Sequence, residues 1–311
     1  MAKTREAQAV LQYLADLRGR GVLLGQHTQT MAQEELIYIA EVTGGLLPAL
    51  CGFELLAYSP NINYAESDEE CLAEVEENKG TLEKAWEWAE RKGLITFTWH
   101  WFSPLGGAGK AFYQKQTPFD ARQALIGGTP EQEAFLHDLD VMAGLLQPFA
   151  EKRVPILWRP FHEAEGAWFW WGGKGPETAR GLYRAMYDRF VRLHKLDNLI
   201  WVWNSPLKEG YVGDDVCDII SRDVYLEAHD HSDYAKHYAE LTAITPADKI
   251  AALGETGPLP DLDMLSKTRI PWTWFMTWSK GVCYNQTSRE ELRAAYQSGY
   301  AVTLDKLPGL Y

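Results

Sequence analysis

The chain is short of positive charge, of paired cysteines and of long apolar runs, and each shortage closes off a class of function. Thirty Lys and Arg stand against 43 Asp and Glu in 311 residues, a formal net charge of −13. Nucleic-acid binding needs clustered cations to displace counterions from phosphates, so no nucleic-acid partner is expected. Only four cysteines occur, Cys51, Cys71, Cys217 and Cys283. None is spaced C-x-x-C, which excludes zinc-ribbon and thioredoxin motifs, and all four are read as free thiols. No run of 18 apolar residues is present, so no spanning helix and no membrane partner are expected. The opening Met1-Ala2-Lys3-Thr4-Arg5-Glu6 is polar and lacks the apolar segment of a signal peptide. A cytoplasmic protein and a secreted one whose export signal has been removed would both read this way.

Several catalytic signatures are missing too. There is no G-x-S-x-G elbow for a serine nucleophile and no H-E-x-x-H zinc helix. The glycine-rich turn of a dinucleotide fold is absent after the first strand. Leu105-Gly106-Gly107-Ala108-Gly109-Lys110 is not a phosphate loop, because Ala111 stands where the motif needs Ser or Thr. His229-Asp230-His231 and His237 are a histidine-rich group, but no catalytic metal and no cofactor are expected. No Pro/Ser-rich linker or repeat divides residues 1–311.

What the chain does have is aromatic residues and a regular alternation of elements. Its 13 Trp and 15 Tyr exceed what a core ordinarily needs, and flat aromatic faces suit sugar rings. Eight short apolar segments read as strands: Gly21–His27, Pro48–Leu55, Leu94–His100, Val154–Glu163, Leu199–Asn204, Asp218–Tyr225, Ala251–Glu255 and Trp272–Trp278. Their near-continuous hydrophobicity is that of parallel strands buried on both faces. Helical patterns separate them. Ser67 with Glu70 and Ser288 with Glu291 read as capping boxes, and Thr129-Pro130-Glu131-Gln132 as a cap followed by proline at the first helical position. A Thr4–Leu17 helix precedes the first strand. Eight such repeats predict a single-domain (β/α)8 barrel.

In that fold the site lies at the strand C-termini. The polar residues there are His27, His100, His162 with Glu163, Asn204, Tyr225, Glu255 and Trp278. Two carboxylates are the decisive pair. Glycoside hydrolysis needs one protonated carboxyl for the leaving oxygen and one ionised carboxylate to attack the anomeric carbon or activate water. Glu165 competes for the acid role, but it has already entered the loop. Among Trp168, Trp170 and Trp171, at least one is expected to stack on a sugar.

The segment Trp158-Arg159-Pro160-Phe161-His162-Glu163-Ala164-Glu165-Gly166-Ala167-Trp168-Phe169-Trp170-Trp171-Gly172 resembles glycoside hydrolase family 26. Gln26-His27, Ala49–Glu54, Thr98-Trp99-His100, Tyr225, Gly254-Glu255 and Trp278 extend the likeness across the chain. The resemblance implies a retaining enzyme acting on a β-linked polysaccharide or oligosaccharide, mannan first. Mixed-linkage β-glucan or xylan is the alternative, and an inactive carbohydrate-binding barrel a further one. It implies Glu163 as acid/base and Glu255 as nucleophile. It implies His100 and His162 as ligands of the sugar at the −1 subsite, Tyr225 as orienter of the nucleophile, Trp278 as the −1 floor and Trp168 as an aromatic wall. Ala164-Glu165 and Ser279 depart from residues common in the family's mannanases, Met-Asn and Arg respectively.

Overall fold

The computed structural model describes residues 2–29 and 32–311. Eight parallel strands close on themselves: β1 (Val22–Thr28), β2 (Leu50–Glu54), β3 (Leu94–Thr98), β4 (Ile156–Trp158), β5 (Leu199–Asn204), β6 (Ile219–Val224), β7 (Ile250–Thr256) and β8 (Trp272–Thr277). Closure comes from β1, which pairs with β2 on one side and β8 on the other. A two-residue β9 (Ala301–Val302), not anticipated from the sequence, adds to β1 at Val22 and Leu23. The helices are α1 (Arg5–Leu17), α2 (Glu34–Thr43), α3 (Glu69–Glu77), α4 (Thr81–Glu90), α5 (Pro130–Glu151), α6 (Pro176–Tyr187), α7 (Ala235–Thr242), α8 (Leu262–Thr268), α9 (Gly281–Asn285) and α10 (Arg289–Gln297).

The continuous hydrophobicity of the strands resolves into two alternating sets. Leu23, Leu50, Leu94, Leu157, Ile200, Val202, Ile219, Ala252 and Trp274 fill one buried cluster with Ala7, Val10 and Leu14 of α1. Their neighbours in sequence, including Leu24, Cys51, Ile95, Trp158, Trp201, Trp203 and Phe275, belong to the other cluster, with the surrounding helices. Period-two alternation thus puts one set inside the barrel and one under the helices. Helix α1 lays its apolar stripe on the inner set.

The tryptophan excess is mostly structural. Ten of the 13 Trp are buried in these clusters, against the expectation drawn from composition. Wide barrel–helix interfaces absorb indoles efficiently, since each buries a large apolar area.

Three further boundaries differ from the sequence reading. Strand β4 ends at Trp158, five residues before Glu163. Pro160 has no N–H to donate, and Phe161 and Glu163 take left-handed backbone at φ 53° and 51°, which no strand ladder accommodates. Helix α3 is capped by Asp68, whose carboxylate accepts from Cys71 N at 2.8 Å; it displaces Ser67, being an equally good cap one residue later. His100, Tyr225 and Trp278 each lie just past their strand rather than within it. The Thr129 cap and the Ser288–Glu291 capping box form as read.

Candidate active site

Glu255 sits inside β7 and is held from both sides. Arg159 Nη2 donates to its Oε1 at 2.5 Å, and the Tyr225 hydroxyl donates to its Oε2 at 2.7 Å. The Tyr225 ring is half exposed, but burial of its hydroxyl and the neighbouring Glu255 charge hold that phenol well above its usual pKa, so it stays a donor. Arg159 is fully buried. It also donates through Nη1 to Asp223 Oδ2 at 2.9 Å and through Nη2 to Thr98 at 2.8 Å. One guanidinium thus bridges two buried carboxylates and sets a fixed positive charge against Glu255.

Glu163 is held differently. It lies in the loop after β4 with a left-handed backbone, a conformation that costs a non-glycine residue about 1–2 kcal/mol. Its N–H is fixed by Asn204 Oδ1 at 2.7 Å, and its Oε2 accepts from Trp168 Nε1 at 2.8 Å. Burial, then the negative charge of Glu255, raise its carboxyl to about 7, and the Trp168 bond opposes them. Asn204 joins the two arms, because its Nδ2 donates to Asp223 Oδ1 at 2.8 Å.

One carboxylate oxygen from each of Glu163, Asp223 and Glu255 lies within 4.8 Å of the others. Their nearest oxygens are thus on the side of the close pair of a double displacement, about 5–5.5 Å, and not of the about 6.5–9.5 Å that an inverting pair keeps for its water. Three carboxylates this close resemble a cation site, but the Arg159 guanidinium already bonds two of them. Burial raises the Glu165 carboxyl, and its Oε2 is buried with no hydrogen-bond partner among the described residues.

The histidines form a chain. Glu54, fully buried at the end of β2, accepts from His100 N at 2.8 Å and from His100 Nδ1 at 2.7 Å. His100 Nε2 faces His162 Nε2 at 3.2 Å. Burial pulls the His100 pKa down, yet Glu54 outweighs it and the net shift is upward. His162 is held well below the usual range, first by burial and then by the positive charges of His100 and Arg159. When His100 is protonated its Nε2 donates to His162 Nε2, and the buried Nδ1 of His162, which has no hydrogen-bond partner among the described residues, then carries the hydrogen. His27 is buried and stacks on Trp278, with ring centroids 3.9 Å apart and planes 18° apart, so it props that indole from beneath.

The three motif tryptophans divide. Trp170 and Trp171 are fully buried and donate to the carbonyls of Trp101 and His162 at 2.7 and 2.8 Å. Trp168 is 48% exposed. Ser279 turns inward and donates to Gln29 at 2.7 Å.

All seven residues singled out as site members from the sequence bear on this region: His100, His162, Glu163, Trp168, Tyr225, Glu255 and Trp278. Glu54 and Asp223 were missed. Glu54 ends β2 and obeys the same strand-end rule as the others. Asp223 was legible only as a charge inside the apolar strand Ile219–Val224. The pairing of Arg159 with Glu255 is carried by partners 96 residues apart, beyond what local sequence displays.

A carboxyl with its pKa raised, set against a second carboxylate bonded to an arginine at a barrel mouth, is the equipment of a glycosidase. The chain belongs to glycosyl hydrolase family 26, whose profile matches residues 2–306. It is 38% identical to a mannan endo-1,4-beta-mannosidase of Thermothelomyces thermophilus over 97% of its own length, and it spans 61% of that relative's length. Among solved structures, it superposes on the Podospora anserina GH26-CBM35 beta-(1,4)-mannanase with a TM-score of 0.88 at 32% identity, covering 99% of this chain and 68% of that one. A beta-mannanase from a symbiotic protist of the termite Reticulitermes speratus, complexed with gluco-manno-oligosaccharide, gives a TM-score of 0.88 at 30% identity, covering 99% and 96%.

Proposed function

We propose that the chain is a retaining endo-β-1,4-mannanase acting on mannan, glucomannan or galactomannan. The observation that carries this is the facing pair Glu163 and Glu255, with oxygens within 4.8 Å and opposite electrostatic treatment. Glu255, anionic beside Arg159, attacks the anomeric carbon while Glu163 gives its proton to the leaving glycosidic oxygen. Charge on Glu255 is consumed in the glycosyl ester. That removes the negative charge which, after burial, raises the Glu163 pKa, and Glu163 becomes the base that activates water. His162, backed by His100 and Glu54, donates to a hydroxyl of the sugar being cleaved, and Trp278 supports its apolar face. Substrate identity rests on the mannan-specific names of the relatives.

A panel of mannan, galactomannan, barley β-glucan and xylan tests the reading, with product lengths followed over time. Expected are mid-length manno-oligosaccharides appearing first. Turnover of β-glucan or xylan without mannan would overturn the substrate assignment. No product from any β-glycan would make the barrel a binding protein.

A further inference from the structure

The loop after β6 that begins with Tyr225 carries two histidines the catalytic site does not use. His231 Nδ1 lies 2.5 Å from the Leu259 carbonyl, which accepts, so Nδ1 carries the hydrogen. Its Nε2 is consequently a lone-pair atom unless the ring is charged. That Nε2 is buried, makes no hydrogen bond, and sits 3.1 Å from Glu291 Oε1. Two lone pairs at that distance repel, so a cation or a proton belongs between them. His229 takes left-handed backbone at φ 64° and brings Nδ1 to 3.4 Å from Glu291 Oε2. One ligand atom from each of His229, His231 and Glu291 lies within 4.8 Å of the others. His237 is not in this group; it lies beside Glu240.

Glu291 is fixed in place. Its Oε2 accepts from Ser288 N at 2.8 Å in the capping box of α10, which leaves Oε1 for His231. We propose that His229, His231 and Glu291 form a binding site for a zinc-type divalent cation that pins the Tyr225 loop to the N-terminus of α10. Two imidazole nitrogens and one carboxylate suit Zn2+ and its neighbours, not the oxygen-only shells of Ca2+ or Mg2+. The Leu259 carbonyl on the far nitrogen of His231 is the partner that orients metal-bound histidines. An adjoining cavity of about 260 Å3, reached past Asp261 and Asp263, gives an entry path and space for a fourth, water ligand. The ion would tie three segments together: the Tyr225 loop, the loop after β7 at Leu259, and α10.

The test is calorimetric titration of ZnCl2 into the whole chelator-stripped protein, alongside thermal unfolding with and without zinc. Expected is one Zn2+ per chain and a Tm raised by several degrees at saturating zinc. Co2+ in its place should give the visible bands of a tetrahedral ion. His229 is an exposed loop residue, so His229→Ala should fold normally; it should weaken zinc binding by about 10-fold or more. His231→Ala should remove the Tm response. Failure of the stripped protein to bind zinc, with only a proton-linked change seen, would overturn the site. Equal affinity in both variants, or equal response to Ca2+, would overturn it as well.

Discussion

The two arms of the carboxylate pair are built on opposite plans. Glu255 belongs to a seven-residue buried strand and faces an arginine, a tyrosine and no strain. Glu163 stands in a loop with left-handed backbone, fastened by Asn204 through its main chain and by one indole through its side chain. The first arm holds charge by supplying donors. The second keeps its proton through burial and through proximity to the first. On the proposed reading, the proton affinity of the acid Glu163 depends on burial and on the charge of Glu255, which is itself bonded to Arg159. That asymmetry is what a double displacement requires, because only the acid must change its proton affinity halfway through.

The comparison breaks most visibly in paired variants. Glu255→Ala should lower turnover by about 10^4-fold or more on every substrate, aryl glycosides included. Glu163→Ala should do comparable damage on mannan but spare the first step on aryl glycosides with good leaving groups, seen as a burst in stopped-flow absorbance. Equal loss on both substrate types would make the arms interchangeable and contradict their different plans.

Gly254→Ala comes next. A Cβ there would lie 2.6 Å from Asp223 Oδ1 and 2.7 Å from Asn204 Nδ2, both in the buried network joining the arms. The expected cost is about 1–3 kcal/mol, measured by denaturant unfolding, with a fall in kcat. An unperturbed variant would mean that the network gives way more easily than its packing implies.

The proton on Glu163 has a stability signature. Its folded-state pKa, about 7, lies above the ordinary value of 4.5. Between those values the native state binds more proton than the unfolded chain, so this group makes stability fall as pH rises from 4.5 through 7. Glu163→Gln should therefore raise Tm at pH 8 by a few degrees, corresponding to about 2 kcal/mol. It should match the parent below pH 4.5. A difference of the same size at pH 4 and pH 8 would show that ionisation is not the cause.

Trp168→Phe gives the smallest effect. Its indole N–H stabilises the Glu163 carboxylate and so lowers the pKa. Losing it should move the alkaline limb of kcat/KM upward by a fraction of a pH unit, while the acidic limb stays put.

The same contrast decides what was legible in the sequence. Glu255 could be found because a strand's length and hydrophobicity announce where it ends. The eight-strand barrel followed from the same regularity, since burial on both faces leaves an unbroken apolar run. Glu163 was found as a residue, although its strand was drawn five residues too long. Pro160 was a legible stop, since proline cannot donate to a ladder, but the left-handed backbone of Phe161 and Glu163 leaves no mark in the sequence. Asp223 and the role of Arg159 escaped because their meaning lies in closure of the barrel, which brings β3, β4, β6 and β7 to one point. The tryptophans misled in the other direction, since composition alone cannot say on which side of a strand an indole falls.

Those tryptophans give the molecule an optical character. With ten indoles shielded from water, the folded chain should fluoresce at short wavelength, and unfolding should shift its emission strongly to the red. On the proposed reading, a saccharide entering the cleft meets Trp168 and Trp278 against that large constant background. Emission is therefore a sensitive gauge of whether the barrel is intact and a poor gauge of whether it is occupied, unless the Trp168 and Trp278 signals are isolated by difference against a Trp168→Phe variant.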